Sequence, residues 1–150
     1  MARALAFLTL VLFFCGCSRS NNFFDGYTSQ SGDLGAFLIA HASKLGARTP
    51  QTNDLPQLRG EWRYKEDSGS LQVFVASNCF TQLHSFLIAA YGPPSSPISK
   101  GINRGMETVT TCYSLQELGA GLWYSWYVTK EGENWTQFNM HSEEELKSGR

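Results

Sequence analysis

The stretch that decides the fold is residues 122–140, Leu-Trp-Tyr-Ser-Trp-Tyr-Val-Thr-Lys-Glu-Gly-Glu-Asn-Trp-Thr-Gln-Phe-Asn-Met. In Leu122–Thr129 apolar and aromatic residues fall on both faces of an extended chain, which is typical of a strand inside a sheet. Trp135–Met140 alternates in the same way. The link between them, Lys130–Asn134, is short, polar and contains a glycine, so the two runs are predicted to form an antiparallel hairpin.

Three further runs extend this sheet towards the N-terminus. Glu61–Lys65 and Leu71–Ala76 alternate in hydrophobicity and flank the turn residues Asp67-Ser68-Gly69, which predicts a second hairpin. Met106–Cys112, with Val109 among three threonines, is a further strand candidate. Short links of this kind favour antiparallel neighbours.

Two helices are predicted from apolar residues at helical spacing. The clearer one runs from Asn78 to Tyr91 and ends at Gly92 before two prolines, because glycine suits the C-terminal cap and proline cannot continue the helix. The other begins after Asp33, a capping residue, and runs from Leu34 to Leu45. The segment Gly92–Gly105 is predicted to be a loop.

These elements indicate the α+β class. The expected architecture is an antiparallel sheet of four to five strands with one helix packed on a face, plus an N-terminal helix.

The N-terminus carries a different kind of signal. One basic residue, Arg3, precedes an apolar run from Ala4 to Phe14, and Cys15-Gly16-Cys17 follows. A run of about 10–14 apolar residues is too short to span a bilayer as a helix and is typical of a secretory signal. The whole arrangement resembles the signal of bacterial lipoprotein precursors. That resemblance implies cleavage after Gly16 and lipid attachment to Cys17. Ordinary cleavage before Ser18, giving a soluble exported protein, stays open.

This interpretation divides the chain into five parts. They are a removed signal peptide at 1–16, a lipidated tether at 17–31, an N-terminal helix and linker at 32–58, an α+β domain at 59–142 and a tail at 143–150. A flexible tether of about 14 residues would reach roughly 20 Å. Among enterobacterial lipoproteins an Asp after the lipidated Cys favours retention in the inner membrane. Ser18 stands there instead, which implies an outer-membrane anchor facing the periplasm in a host with two membranes.

Composition excludes several function classes. The chain has 12 basic and 13 acidic residues and a net charge of −1, so no basic surface for nucleic acid is expected. The three histidines, His41, His84 and His141, form no metal-binding spacing, and no cofactor motif is present. We therefore expect neither a metal nor a cofactor.

Cys79 and Cys112 are the cysteines left after the signal and the anchor. In an oxidising envelope they are candidates for a disulfide, and the alternative is two buried free thiols. Cys79 also begins a helix after a strand, a position similar to that of the nucleophile in papain-like cell-wall peptidases, with His141 as the available base. That family has Ser-Gly after the Cys, whereas Phe80-Thr81 follows here. A third residue to orient the histidine is not identifiable.

Aromatic residues supply the remaining hypothesis. Trp123, Trp126, Tyr127 and Trp135 cluster on the predicted central hairpin, and exposed members would form a binding surface. The alternative is that they stabilise the sheet as cross-strand pairs.

The sequence thus favours a lipid-anchored, non-catalytic envelope protein that binds or scaffolds a protein or glycan. A cell-wall thiol hydrolase using Cys79 and His141 and a soluble exported ligand-binding protein remain as alternatives.

Overall fold

The computed structural model describes residues 23–149, so the predicted signal peptide and Cys17 lie outside the described residues. Within that range the chain forms one seven-stranded sheet and four helices. The strands are β1 (Thr28–Asp33), β2 (Arg59–Asp67), β3 (Ser70–Val75), β4 (Ser99–Asn103), β5 (Met106–Tyr113), β6 (Ala120–Val128) and β7 (Asn134–Ser142). The helices are α1 (Leu34–Lys44), α2 (Phe80–Tyr91), α3 (Leu115–Leu118) and α4 (Glu143–Ser148). The α+β class is confirmed.

Every pairing in the sheet is antiparallel, and the strand order is β1-β2-β3-β7-β6-β5-β4. The predicted hairpin of β6 and β7 lies at the centre, with Leu122 opposite Met140. Its link closes through backbone hydrogen bonds from Thr129 to Glu133 and from Gly132 to Thr129, both about 3 Å long. Gly132 has a φ of +82°, which explains the glycine in this link.

The expected four to five strands were too few, because both edge strands were missed. Residues 28–31, assigned to the tether, belong to β1 and pair with β2 from Thr28 opposite Tyr64 to Asp33 opposite Arg59. The sequence of β1, Thr-Ser-Gln-Ser-Gly-Asp, contains no apolar residue. Such a strand is held by backbone hydrogen bonds to its neighbour, so hydrophobic periodicity cannot reveal it.

The second missed strand, β4, interrupts the predicted loop Gly92–Gly105. It pairs with β5 through a two-residue turn at Arg104 and Gly105, where both residues have positive φ, +51° and +79°. Two positive φ angles match the twist of a tight hairpin. All residues of β4 are exposed, so it too lacks an apolar pattern.

Helices α1 and α2 pack together on one face of the sheet and enclose the core. The Asp33 carboxylate caps α1 as predicted, accepting a hydrogen bond of 2.9 Å from the Ala36 N–H. Helix α2 starts at Phe80, slightly later than predicted, and Cys79 occupies its N-cap position without a side-chain cap. The two helices meet where Gly35 lies against the Phe86 ring. The core they cover includes Leu38, Trp62, Leu71, Val73, Phe86, Leu87, Leu122, Tyr124, Phe138 and Met140.

The two short helices were not predicted, and each begins at a capping serine. Ser114 and Glu117 of α3 form a reciprocal capping box. Glu117 also accepts hydrogen bonds of 2.6 Å from the backbone N–H groups of Ser114 and Ser95, and these hold the pKa of its carboxyl low, at about 2. Most of the predicted tail is helix α4, which Ser142 caps and whose Leu146 contacts the sheet at Gly121.

Candidate functional site

The two faces of the sheet are covered differently. Side chains alternate along each strand, so Leu122, Tyr124 and Phe138 point to the face under α1 and α2. The opposite face, which we call the open face, is covered at its ends by α4 and by residues 23–27. The strand residues that form its centre are Gln72, Cys112, Trp123, Ser125, Tyr127, Trp135, Gln137, Asn139 and His141. Within residues 23–149 no helix covers the centre of the open face, so these strand residues are available to a ligand.

The structure separates the four aromatic residues that the sequence grouped as a binding surface. Trp123, Tyr127 and Trp135 lie on the open face, and Trp123 is 38% exposed. Trp126 lies on the other face, partly buried against the core, and its indole N–H donates to the Asn134 Oδ1 at 3.0 Å. The grouping was wrong for Trp126, because Trp126 and Tyr127 are consecutive and a strand turns consecutive residues to opposite faces.

Residues 23–27 fold back onto the open face, and we call this segment the N-terminal hook. The Phe24 ring packs on Phe74 and Trp135, with ring centroids 5.5 and 5.1 Å away, and the Arg63 guanidinium lies 4.6 Å above it. The Tyr27 hydroxyl donates to the Gln72 side-chain oxygen at 2.5 Å. The Phe23 ring also lies against Phe74, with centroids 5.4 Å apart, so both phenylalanines of the hook contact the domain.

Beside the hook, the open face contains a cleft made of two cavities that meet at Trp135. The first has a volume of about 380 Å³. Its lining comprises Ser29, Gln30, Ser31, Glu61, Trp62, Arg63, Phe74, Ala76 and Trp135. The second has about 530 Å³ and shares Ala76 and Trp135 with the first. It adds Ser77, Asn78, Gly132, Glu133 and Asn134. Both volumes fall in the usual range for ligand sites, roughly 300–1,000 Å³. We call these two cavities the Trp135 cleft.

Only Trp135 of this cleft was predicted from the sequence. The sequence of β3 contained one indication of the other cleft residues. Phe74 points to the opposite face of the strand from Leu71, Val73 and Val75. A large ring on the otherwise polar side of a strand indicates that something covers it, and here the cover is the hook. The polar alternation of β2 likewise placed Glu61 and Arg63 on one side, but nothing in the sequence indicated which side faced a cleft.

The structure does not bring Cys79 and His141 together. The Cys79 N–H donates to the Thr136 Oγ1 at 3.0 Å, next to α2. His141 lies five residues further along the same strand as Thr136, which corresponds to roughly 16 Å. It also points to the open face, where its ring stacks on Trp123 with centroids 4.8 Å apart. Burial raises the pKa of the Cys79 thiol, which opposes thiolate formation. This geometry gives the thiol-hydrolase hypothesis no support.

The cysteine pair considered for a disulfide is unbonded in the structure. Cys112 is a free thiol on the open-face side of β5, and its sulfur lies 3.2 Å from the Ser96 hydroxyl. Cys79 is a free thiol at the start of α2, on the covered side. Helix α2 packs against one face of the sheet and Cys112 points to the other, so the sheet lies between the two sulfurs.

The other histidines have structural contacts. The Tyr124 hydroxyl and the His84 Nδ1 share a hydrogen bond of 2.5 Å beneath α2, and burial lowers the pKa of His84. His41 donates from Nδ1 to the Phe37 carbonyl, and its Nε2 lies 3.3 Å from the Glu66 carboxylate. Within residues 23–149 no group of three metal-ligating side chains occurs. None of the helices in that range is both long and apolar enough to cross a membrane.

One polar group of the open face has no explained role. Asn139 is 1% exposed, and its Oδ1 accepts a hydrogen bond of 3.1 Å from Gln137. Its amide nitrogen has no hydrogen-bond partner among the described residues. An unpaired buried donor costs free energy, and the contacts seen here do not account for it.

Comparison with known proteins adds no relative. No protein-family model matches the sequence, and neither the curated proteins nor the solved structures gave a match.

Proposed function

We propose that this protein is a non-catalytic binding module, anchored in the cell envelope through a lipid on Cys17, and that its ligand site is the Trp135 cleft on the open face. The observation that carries the binding part is the cleft itself, in which two cavities meet at one indole ring. The separation of Cys79 from His141 favours binding over thiol catalysis. The signal sequence supports the anchor.

The packing of the hook on the sheet limits the distance between the proposed lipid anchor and the cleft. Phe24 is packed on the sheet, so only six residues, or seven Cα–Cα steps, separate it from Cys17, fewer than the tether predicted from the sequence. Fully extended, such a segment spans at most about 25 Å. Phe24 and the cleft lie on the same face, because both contact Trp135. On this proposal the ligand meets the domain close to the membrane surface, in the outer-membrane location facing the periplasm that Ser18 suggests.

Photo-crosslinking in intact cells tests the binding part. A benzoylphenylalanine placed at Tyr127, next to Trp135 on the open face, is expected to form a covalent adduct with the envelope ligand. Adding Trp135→Ala to that protein is expected to abolish the adduct. The readout is a shift in mass of the crosslinked protein.

The matched control places the same photoreactive residue at Ser85, which is exposed on α2 on the far side of the sheet. No adduct is expected from that position. Adducts of equal yield at both positions, or an adduct at Tyr127 that survives Trp135→Ala, would contradict the assignment of the open face as the binding surface.

A further inference from the structure

The lining of the Trp135 cleft has an unusual composition for a protein or lipid site. No leucine, isoleucine, valine or methionine is present in either cavity. The apolar residues of the lining are the aromatic Trp62, Phe74 and Trp135 together with Ala76. Pockets that bind apolar peptide side chains or acyl chains are lined by aliphatic residues, because these ligands bind by burying hydrocarbon surface. This lining does not suit such ligands.

Polar residues line both of the cavities that meet at the indole. Ser29, Ser31 and Glu61 line the first cavity, and Asn78 and Glu133 line the second. Carboxylates, hydroxyls and amides together offer both donors and acceptors. A sugar ring presents an apolar C–H face, which an aromatic ring can cover, and a rim of hydroxyls, which such side chains can bind. The arrangement of one ring with polar groups at both sides matches that ligand shape.

The indole is held in place before any ligand arrives. Phe24 and Phe74 pack against Trp135, and the Trp135 Nε1–H donates to the Glu133 carboxylate at 3.4 Å. A ring that is already ordered loses little conformational freedom on binding. Because both cavities contact this ring, a ligand that fills the cleft extends past it in two directions, as a chain of linked sugars does.

The charge of the lining restricts the ligand further. Glu61 and Glu133 contribute two carboxylates and Arg63 one guanidinium. An anionic polysaccharide would meet the two carboxylates at close range. We infer that the Trp135 cleft binds a neutral oligosaccharide, an inference that rests on the proposed binding function and names its ligand class.

Calorimetric titration of the purified mature protein, in a detergent without a sugar headgroup, tests this inference. The probes are the trimer of N-acetylglucosamine and cellotriose. At least one is expected to bind, and Trp135→Ala is expected to weaken its affinity about tenfold or more, equivalent to at least 1.4 kcal/mol. Glu61→Gln, at an exposed position, should also weaken binding while leaving the fold intact.

Trp123→Ala is the matched control, since Trp123 is an exposed tryptophan of the same face outside the cleft lining. It is expected to leave the affinity unchanged. An equal loss in Trp123→Ala, or binding unaffected by Trp135→Ala and Glu61→Gln, would overturn the inference. If neither probe binds while the Tyr127 crosslink persists, the carbohydrate assignment fails and the proposed binding function survives.

Discussion

Gly119→Ala is expected to lower the free energy of unfolding by about 3 kcal/mol. This loss is the sum of the strain of a left-handed backbone at alanine and the cost of displacing the neighbouring turn. Gly119 caps α3 with a φ of +86°. A Cβ atom there would lie 2.5 Å from the Gly46 carbonyl oxygen, in the turn that follows α1. That turn is tied to α3 by a hydrogen bond of 2.8 Å from the Arg48 N–H to the Leu118 carbonyl, so it cannot move freely.

Gly132→Ala is the control for this change. Gly132 has nearly the same backbone conformation, with a φ of +82°, but no atom lies within 4 Å of a Cβ built there. It should therefore cost only the backbone strain, about 1 kcal/mol. Urea unfolding followed by tryptophan fluorescence measures both. Equal losses in the two variants would mean that the contact between the α1 turn and α3 is not as close as described.

Phe24→Ala is expected to lower the free energy of unfolding by about 2 kcal/mol and to release the hook. Replacing a fully buried core phenylalanine by alanine lowers the free energy of unfolding by about 3–5 kcal/mol. The loss expected here is smaller because Phe24 is only half-buried. The loss comes from its contacts with Phe74, Trp135 and Arg63. Release should expose Trp135, which acrylamide quenching of fluorescence detects together with the change in unfolding.

The neighbouring ring provides the comparison. Phe23 contacts Phe74 and Phe24 but is 67% exposed, so Phe23→Ala should lower the free energy of unfolding by less than Phe24→Ala does, about 0.5 kcal/mol. Similar small effects of both substitutions would show that the hook is not bound to the sheet. In that case the distance limit between Cys17 and the cleft would also no longer hold.

The sequence predicted the parts of the fold that hydrophobic periodicity controls. The hairpin of β6 and β7 and the two long helices each bury an apolar face, so their patterns were visible. Strands β1 and β4 bury nothing of their own and depend on backbone pairing with β2 and β5. No local signal distinguishes such edge strands from a polar loop, which explains why the sheet was predicted too narrow.

Most residues of the Trp135 cleft could not be predicted from the sequence, because they become neighbours only through the pairing of distant strands. The cleft combines Glu61 and Arg63 of β2, Phe74 of β3 and Trp135 of β7, and the order β2-β3-β7 that makes them neighbours follows from the sheet topology. The aromatic content of the central hairpin pointed to the right strands. It could not tell which rings would be exposed, as the opposite placement of Trp126 and Tyr127 shows.

The intact mass of the mature protein, extracted from the membranes of its native host, tests whether this module is anchored by a lipid on Cys17. We expect a chain that begins at Cys17, with a diacylglyceryl group on its sulfur and an acyl group on its amino terminus. Cys17→Ser should abolish both the modification and retention in the membrane. A mature chain that begins at Ser18, or one that begins at Cys17 without lipid, would contradict the proposal that this module is anchored at a membrane.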